Sequence, residues 1–489
     1  MKICIVGGGS AGWMSATTLV RLLDADVTLI ESPDVKIIGV GESTLFQIQS
    51  WIDLVGIRSD ELDFIKATGA TLKHSIKFTN FLSKDSGSFH YPFGDEPLIN
   101  PVEWWKAMNS GNQDVSFNSY AEDINPLALC AERGKFDDTA FYSYHLDAIK
   151  FGEYLKKKYC KEVNYISGNV VDCDIKDEGI KSLKLDNGKN IEADLFIDCT
   201  GFKSLLLGEF LKEPFIPYDQ LIPNDSALTT RVPFINKKKQ MVPYTECTAI
   251  DNGWVWQIPL WDKIGTGYVY SSKYIEDDNA QKQFKSHLDK KGFDTRHCVF
   301  KKIPMKVGRY KRTWVKNVVA IGLSGGFLEP LEGNGLYTVH ENLIALYKVL
   351  RRGKVSGILK EMYNFGTNRI FDEFADFIAI HYAFTQRRDT PYWEDIFNKD
   401  YNIEASDQLT RFGLMSFGNS LFVEKNFINL GAGFHYISSG MGVSPYSEKG
   451  EITNIDQTRK DWEKVIHQKP SLYQYLSDLV YKTYRIVYK

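Results

Sequence analysis

The sequence lacks the cysteine pattern of a metal site or of a disulfide framework. Seven cysteines are scattered over 489 residues, and no two of them have the Cys-x-x-Cys spacing of a zinc site. An odd, dispersed set also argues against a disulfide-stabilised secreted protein and is typical of a reducing compartment. We therefore expect a cytoplasmic protein without a bound metal.

A long apolar run and a charge imbalance are missing as well. No stretch approaches the roughly 18 consecutive apolar residues of a transmembrane helix, and the apolar run at residues 3–6 is too short for a signal peptide. Lysine and arginine total 59 against 62 acidic residues, a formal net charge of −3. Nucleic acid and membrane surfaces attract clustered charge, so we expect neither as a partner.

Aromatic residues, by contrast, are abundant. The chain has 30 Phe, 26 Tyr and 10 Trp, or 13% of all residues. Its 43% hydrophobic and 25% charged residues are ordinary for a globular protein and exclude disorder. A large core and an aromatic-lined ligand cavity both explain the aromatic content, and composition does not choose between them.

The first 31 residues carry a dinucleotide-binding pattern. A short apolar strand, a glycine-rich turn, a helical segment, a second strand and an acidic residue follow one another at residues 2–6, 7–12, 14–23, 26–30 and 31. This order predicts a βαβ unit whose helix N-terminus faces a pyrophosphate, with Ser10 and Ala11 among the expected cofactor contacts.

Each glycine of this turn has a separate predicted task. Gly7 permits the tight turn, Gly9 lets the backbone approach the pyrophosphate, and Gly12 lets the helix pack on the sheet. Glu31 can accept hydrogen bonds from ribose hydroxyls, which favours FAD or NAD over NADP. No second complete fingerprint is present. If the bound dinucleotide is FAD, electrons therefore come from a separate reductase or from a nicotinamide bound without this motif.

Later segments predict a discontinuous α/β fold. Apolar strands at 194–198 and 317–321 each run into a glycine-containing turn, as in a doubly wound sheet, whereas the segment between them has β-like alternation. From about residue 336 the pattern becomes helical. We predict a dinucleotide-binding domain at 1–80, 140–210 and 305–350, a β-rich substrate region at 81–139 and 211–304, and a mainly helical region at 351–489.

Four motifs together resemble one enzyme family. They are the N-terminal Gly-Gly-Gly-Ser-Ala-Gly-Trp, the segment Leu-Lys-His-Ser-Ile-Lys-Phe at 72–78, Trp-Val-Trp-Gln-Ile-Pro at 254–259 and Gly-Gly-Phe-Leu-Glu-Pro-Leu-Glu at 325–332. In this combination the chain resembles the flavin-dependent halogenases of the tryptophan-halogenase type. Supporting matches at 40–44, 89–93, 198–202 and 381–393 extend the resemblance over roughly residues 1–395.

The resemblance implies a fold and a chemistry. The fold is an FAD-binding Rossmann-like domain of the aromatic-hydroxylase type. Reduced FAD reacts with O2, the resulting peroxyflavin oxidises halide to hypohalous acid, and this oxidant passes through a tunnel to a lysine for electrophilic aromatic substitution. A separate NAD(P)H:flavin reductase is implied as partner, and a homo-oligomer is left open. In this family the motif at Trp254, Trp256, Ile258 and Pro259 is taken to disfavour monooxygenation.

The family's reactive residues match Lys73 and Glu332. The ammonium of Lys73 can polarise hypohalous acid, or its amine can form a haloamine. Glu332 can stabilise the cationic ring intermediate and take its proton. In an unbroken strand Lys77 would share a face with Lys73 as a companion or a decoy. Further cofactor contacts are expected at Gly41, Ser43, Thr44, Gly322 and Leu331.

The chain departs from the family after Glu332. Where relatives have Ser-Thr-Gly, the sequence reads Gly333-Asn334-Gly335. In relatives the backbone N–H groups of this turn hold the halide. Loss of side-chain bulk at Gly333 and an amide donor at Asn334 suggest a wider anion pocket that prefers bromide or iodide. The other reading is a neutral variation that leaves the backbone donors in place.

An electron-rich aromatic substrate is implied, with indoles, phenols and heteroaromatics all open. An aromatic stretch, Phe89, His90, Tyr91, Pro92 and Phe93, is the expected substrate wall, followed by Trp104 and Trp105. Two other functions are weighed against halogenation. One is an FAD-dependent aromatic monooxygenase on the same fold, and the other is a flavin-binding sensor without turnover.

Overall fold

A computed structural model of the chain describes residues 1–23, 25–35, 39, 41–93, 120–401 and 455–481. The chain forms two compact units. Unit 1 comprises Met1–Ala70, Leu146–Ile222 and Pro304–Ala375, and unit 2 comprises Thr71–His145, Pro223–Ile303 and Asp376–Lys489. Each unit is built from three separate segments, so both are discontinuous in sequence.

A six-stranded sheet forms the centre of unit 1. Its strands, in spatial order, are Trp314–Val315, Val318–Ala320, Leu195–Asp198, Lys2–Val6, Asp26–Glu31 and Asn164–Ser167. The strands pair in parallel except for the first two. The central strands are apolar and buried, as expected for a parallel sheet covered on both faces.

Smaller sheets and helices complete unit 1. Two three-stranded sheets contain Val170–Lys176, Gly179–Leu185 and Asn190–Glu192, and Phe215–Pro217, Gly308–Tyr310 and Gly326–Phe327. A short strand covers Glu42–Ser43. The α-helices are Ser10–Leu22, Ile48–Val55, Glu61–Thr68, Ala148–Tyr159 and Gly335–Leu350. Single turns of other helix types cover Arg58–Asp60, Gly201–Lys203, Leu205–Phe210, Gly322–Ser324 and Pro330–Glu332.

A seven-stranded sheet forms the centre of unit 2. Its strands, in spatial order, are Lys301–Pro304, Ser226–Val232, Ile264–Tyr270, Gly253–Pro259, Tyr244–Ile250, Ser75–Thr79 and Ser88–Pro92. The pairs whose register is defined are antiparallel, apart from Tyr244–Ile250 with Ser75–Thr79. A separate antiparallel pair joins Thr71–Lys73 to Ser143–Leu146.

The two faces of this sheet carry different residues. Phe284 and Leu288 of the helix Asp277–Lys290 pack against Val255 and Tyr268 on one face. Side chains alternate along a strand, so Trp254 and Trp256 point to the opposite face. Register adds Cys247, Phe78 and Phe89 to the side of Trp256, because directly paired residues share a face.

The remaining α-helices are Tyr120–Ile124, Pro126–Glu132, Lys237–Gln240, Asp277–Lys290, Gly357–Ala383, Pro391–Asn398, Ile455–Gln468 and Leu472–Leu476, with a π-turn at Ser477–Tyr481. The helix Gly357–Ala383 lies within the part of the chain predicted to be helical. Among the described residues no helix is both long and apolar enough to cross a bilayer. Trp104 and Trp105 lie outside the described residues.

Candidate active site

The N-terminal glycines occupy three different environments. Gly7 has a φ of +118°, and a Cβ there would lie 2.2 Å from the Cys199 carbonyl oxygen. A Cβ at Gly12 would lie 1.9 Å from the Gly7 carbonyl oxygen, so only glycine lets the helix approach the strand this closely. A Cβ at Gly9 would meet nothing within 4 Å. The backbone at Gly9 therefore borders open space.

The acidic residue of the pattern lies against this turn. Glu31 ends the strand Asp26–Glu31, and a Cβ at Gly8 would lie 2.2 Å from the Glu31 carboxyl carbon. The Tyr165 hydroxyl donates to Glu31 Oε2 over 3.0 Å. The glycine turn, the open space at Gly9 and a carboxylate beside it fit the phosphates and ribose of FAD.

Of the other predicted cofactor residues, Gly322 lies against the same turn. Gly322 has a φ of +73°, and a Cβ there would lie 3.0 Å from the Ala11 Cβ. The Ser10 hydroxyl donates to the Ala148 carbonyl over 3.3 Å. Gly41, with a φ of +87°, precedes the strand Glu42–Ser43, and Thr44 is fully buried.

The predicted halide turn packs against the same short strand. Gly333 has a φ of +70°, and a Cβ there would lie 2.8 Å from the Ser43 carbonyl oxygen. Asn334 Nδ2 donates to the Glu329 carbonyl over 2.8 Å, so one amide hydrogen closes the loop. The helix Gly335–Leu350 begins directly after this turn. The space left by the missing side chain of Gly333 is thus filled by Ser43.

Glu332 directly precedes the predicted halide turn. It ends the turn Pro330–Glu332, and its side chain is completely buried, as is Glu329. Leu331 between them is also buried. A carboxylate withdrawn from solvent interacts strongly with any positive charge that develops nearby, because water no longer screens it.

The sequence prediction did not include Glu42, which belongs to the same cluster in unit 1. Its Oε2 lies 3.5 Å from the position of a Cβ on Gly335, at the N-terminus of the helix Gly335–Leu350. Burial raises the pKa of Glu42 to about 7. Glu42 lies within the segment 40–44 that matches the family, so the sequence offered a hint of its importance. Only the fold brings Glu42 to this helix.

Lys73 lies in unit 2 and is completely buried. Its Nζ donates a long hydrogen bond, 3.4 Å, to the Thr245 hydroxyl and lies 5.1 Å from the centre of the Phe93 ring. A buried ammonium without bulk water polarises a neighbour more strongly than one on the surface. The aromatic ring of Phe93 supplies a favourable cation–π contact.

The expected companion of Lys73 is placed differently. The strand breaks at His74, so Lys73 pairs with Ser143 whereas Lys77 lies in the seven-stranded sheet. Lys77 Nζ donates to Glu132 over 2.5 Å. The shared face expected for Lys73 and Lys77 is therefore wrong, because that expectation required an unbroken strand.

The aromatic stretch at 89–93 divides between two environments. Phe89 stacks on Phe78 with ring centres 5.3 Å apart, and Tyr91 contacts Phe377 edge-on at 5.9 Å. His90 faces the other side, where Nε2 lies 2.8 Å from Glu132 and Nδ1 lies 2.8 Å from Ser75. Pro92 is buried, and Phe93 reaches Lys73. Alternation along a strand thus separates residues that are adjacent in sequence.

The tryptophan motif forms the buried strand Gly253–Pro259. The rings of Trp254 and Trp256 lie 6.0 Å apart on the same face, the face that Ile258 shares by alternation. Trp256 fits beside Gly267, where a Cβ would lie 2.1 Å from the indole. The Pro259 carbonyl accepts a hydrogen bond from Thr71, which lies two residues before Lys73.

Comparison with known proteins identifies the family. The sequence model for tryptophan halogenases matches residues 2–446. The chain belongs to the tryptophan halogenase family. It is an enzyme of the flavin-dependent halogenase class, which uses reduced FAD, dioxygen and halide. The predicted mixed α/β fold is confirmed by the solved halogenase structures that the chain matches.

Individual halogenases match over nearly the whole chain. Tryptophan 7-halogenase RebH from Lentzea aerocolonigenes is 31% identical over 97% of this chain and 98% of its own. Tryptophan 6-halogenase SttH from Streptomyces toxytricini is 32% identical over 81% and 80%. Its crystal structure superposes with a TM-score of 0.85 at 28% identity over 97% and 99%. The VirX1 apo structure reaches 0.87 at 35% identity over 98% and 99%.

Proposed function

We propose that this halogenase uses Lys73 to deliver hypohalous acid to an electron-rich aromatic substrate. The observation that carries the proposal is a completely buried lysine in a family whose motif places a reactive lysine at this position. Desolvating an ammonium is costly, so a lysine without a special role stays on the surface in water. The chain also retains the intact family motif at Trp254, Trp256, Ile258 and Pro259, which supports the same proposal.

Unit 1 is the proposed flavin domain. The turn at Gly7, Gly9 and Gly12 would hold the pyrophosphate, and Glu31 would accept from the ribose. When bound, reduced FAD with dioxygen supplies the oxidising equivalent that converts halide to hypohalous acid. Gly41, Ser43, Thr44, Gly322 and Leu331 would surround the rest of the cofactor. The predicted segments 1–80, 140–210 and 305–350 overlap this unit.

Lys73 and Glu332 have separate proposed tasks. The Lys73 ammonium would donate a hydrogen bond to hypohalous acid and make its halogen more electrophilic. The Glu332 carboxylate would stabilise the positive charge of the substituted ring and accept the proton that leaves it. Both side chains are buried, which keeps water from competing for these interactions.

The proposed substrate is an indole, a phenol or another electron-rich heteroaromatic. RebH and SttH act on tryptophan by name. In this chain Phe93 beside Lys73 and the half-buried Tyr91 are the aromatic side chains of the 89–93 stretch best placed to hold a ring. A separate NAD(P)H:flavin reductase would supply reduced FAD, as is typical of the family.

The test supplies reduced FAD, dioxygen and halide to a panel of aromatic compounds and analyses products by mass spectrometry. We expect halogenated products from the natural sequence. In Lys73→Ala the product should disappear, although hypohalous acid still forms. Lys77→Ala is the matched control, since Lys77 pairs with Glu132. Unchanged halogenation by Lys73→Ala would refute the assignment.

The same experiment separates the other candidate functions. A monooxygenase would give an oxygenated product in buffer without halide. A flavin sensor would give no product under any of these conditions. Retention of the tryptophan motif favours the halogenase over both.

Halide choice is tested by competition among equal concentrations of chloride, bromide and iodide. The turn at Gly333, Asn334 and Gly335 predicts a preference for bromide or iodide. Ser43 fills the space beside Gly333, so any such preference would come from the backbone of the turn or from the Asn334 amide rather than from an enlarged cavity. A preference for chloride would refute the prediction.

A further inference from the structure

A chain of buried polar groups in unit 2 connects Lys73 to the end of the tryptophan motif. Lys73 Nζ lies 3.4 Å from Thr245 Oγ1, which lies 2.9 Å from His145 Nε2. His145 Nδ1 lies 3.1 Å from Thr71 Oγ1, which donates to the Pro259 carbonyl over 2.5 Å. Lys73, His145 and Thr71 are completely buried, and Thr245 nearly so.

The hydrogen bond from Thr71 to the Pro259 carbonyl fixes the donor and acceptor in each of the other three hydrogen bonds. A carbonyl oxygen only accepts, so the single hydroxyl hydrogen of Thr71 is committed to Pro259. Toward His145, the Thr71 oxygen must therefore accept, and His145 must carry its proton on Nδ1. In a neutral imidazole the other nitrogen then has no proton. His145 Nε2 accordingly accepts the hydroxyl hydrogen of Thr245.

The same logic continues to Lys73. The hydrogen of Thr245 points to His145, so the Thr245 oxygen presents a lone pair to Lys73 Nζ. A lysine amino group donates in this direction whether or not it is charged. All four links thus donate toward Pro259. With the Thr71 hydrogen on Pro259, these four hydrogen bonds have one consistent arrangement of protons, and His145 also hydrogen-bonds the Pro259 carbonyl. An imidazolium at His145 would place a second N–H against the Thr245 hydroxyl.

Charge supports a neutral His145. Burial and the positive charge of Lys73 hold the pKa of His145 well below its ordinary value. Lys73 is the charged side chain acting on His145 from the neighbouring strand, and the remaining groups in the network are hydroxyls and a backbone carbonyl.

We propose that His145, as a neutral imidazole protonated on Nδ1, is a positioning residue that orients Lys73 for halogen delivery through Thr245. The proposal rests on the proposed function of Lys73. His145 does not touch the reacting atoms. It holds the Thr245 hydroxyl so that a lone pair faces Lys73, and this fixes one N–H of the amino group.

The proton position is tested directly by NMR on the full-length protein with 15N-labelled histidine, with and without FAD. The chain has nine histidines, and His145→Asn identifies the signals of residue 145. His74 serves as an internal reference, because its Nδ1 donates to the Phe141 carbonyl and its Nε2 accepts from the Asp137 N–H. We expect His145 to share the Nδ1–H pattern of His74. A proton on Nε2 of His145 would overturn the proposal.

Function is tested with an isosteric pair at position 245. Thr245→Val removes the hydroxyl at nearly constant volume, whereas Thr245→Ser keeps it. We expect Thr245→Val to lower kcat for halogenation about 10-fold or more, with KM for the aromatic substrate changed less than about 3-fold. Thr245→Ser should restore most of kcat. Hypohalous acid formation without substrate should be equal in all three proteins.

The outcomes separate this proposal from the one on which it rests. If Lys73→Ala retains halogenation, the role of Lys73 fails, whereas the NMR result on His145 remains valid. If Lys73→Ala abolishes halogenation but Thr245→Val leaves kcat unchanged, only the positioning role is overturned. If Thr245→Val does not fold, the kcat of Thr245→Ser and the proton position in the natural protein decide. In that case, a kcat of Thr245→Ser as low as the kcat of His145→Asn would contradict the positioning role of His145.

Discussion

Gly333→Ser would introduce the serine that the family resemblance implies at the proposed halide turn, and we expect it to destabilise this protein. Two effects add. The φ of +70° costs an L-residue about 1 kcal/mol. A Cβ would also lie 2.8 Å from the Ser43 carbonyl oxygen and 2.9 Å from its hydroxyl, and such crowding costs about 1–3 kcal/mol. The expected loss is about 2–4 kcal/mol.

Gly188→Ser is the matched control for the backbone effect. Gly188 has a φ of +82°, belongs to the same unit, and a Cβ there would meet nothing within 4 Å. Its serine variant should therefore lose only about 1 kcal/mol. Urea unfolding of both variants without flavin gives the two free energies of unfolding, and their difference isolates the contact with Ser43.

Equal losses at positions 333 and 188 would refute the packing argument. A more stable Gly333→Ser variant would refute the conformational argument too. The halide competition assay on the same variant adds a functional result. If the turn backbone sets halide preference, a shift of Ser43 should change the ratio of chlorinated to brominated product.

Three further predictions concern the cofactor turn, the half-buried acid Glu42 and the tryptophan motif. Gly9→Ala should change stability by less than about 0.5 kcal/mol yet weaken FAD binding in a fluorescence titration, because its Cβ enters open space that the cofactor needs. Burial raises the pKa of Glu42 from 4.5 to about 7, so the folded state keeps a proton that the unfolded state releases. Stability should therefore fall by up to about 3 kcal/mol from pH 4.5 to 7 in urea unfolding, and Glu42→Gln should remove that fall. Gly267→Ala should cost about 1–3 kcal/mol by displacing Trp256 and lower the thermal unfolding temperature. Unaltered FAD affinity, an unchanged pH slope or an unchanged unfolding temperature would contradict the respective prediction.

Local patterns in the sequence predicted a large part of unit 1. The strand Lys2–Val6, the helix after Gly9 and the strand Asp26–Glu31 follow from periodicity and glycine spacing, because the contacts that define a βαβ unit involve nearby residues. The strand Gly253–Pro259 was delimited by its own motif. Fold class and enzyme family, both inferred from motif order, were confirmed by the comparisons.

Predictions that depended on side-chain direction were less successful. The break at His74 separates Lys73 from Lys77, and the pairing of Lys77 with Glu132 depends on a helix 55 positions away. Alternation in the strand Ser88–Pro92 turns His90 away from Phe89. A linear pattern shows which residue types are close in sequence, but a single break or register change moves a side chain to another face.

The sequence alone determined the family of this protein, through a dinucleotide turn, a lysine that matches the family's reactive position and a tryptophan motif, each short enough to be read locally. Only the tertiary structure decided what surrounds those residues. Thr71 and Pro259 are 188 positions apart, and Lys73 and Thr245 are 172 apart, yet hydrogen bonds connect them through His145. Such contacts form when distant strands pair, and no spacing within the sequence encodes them.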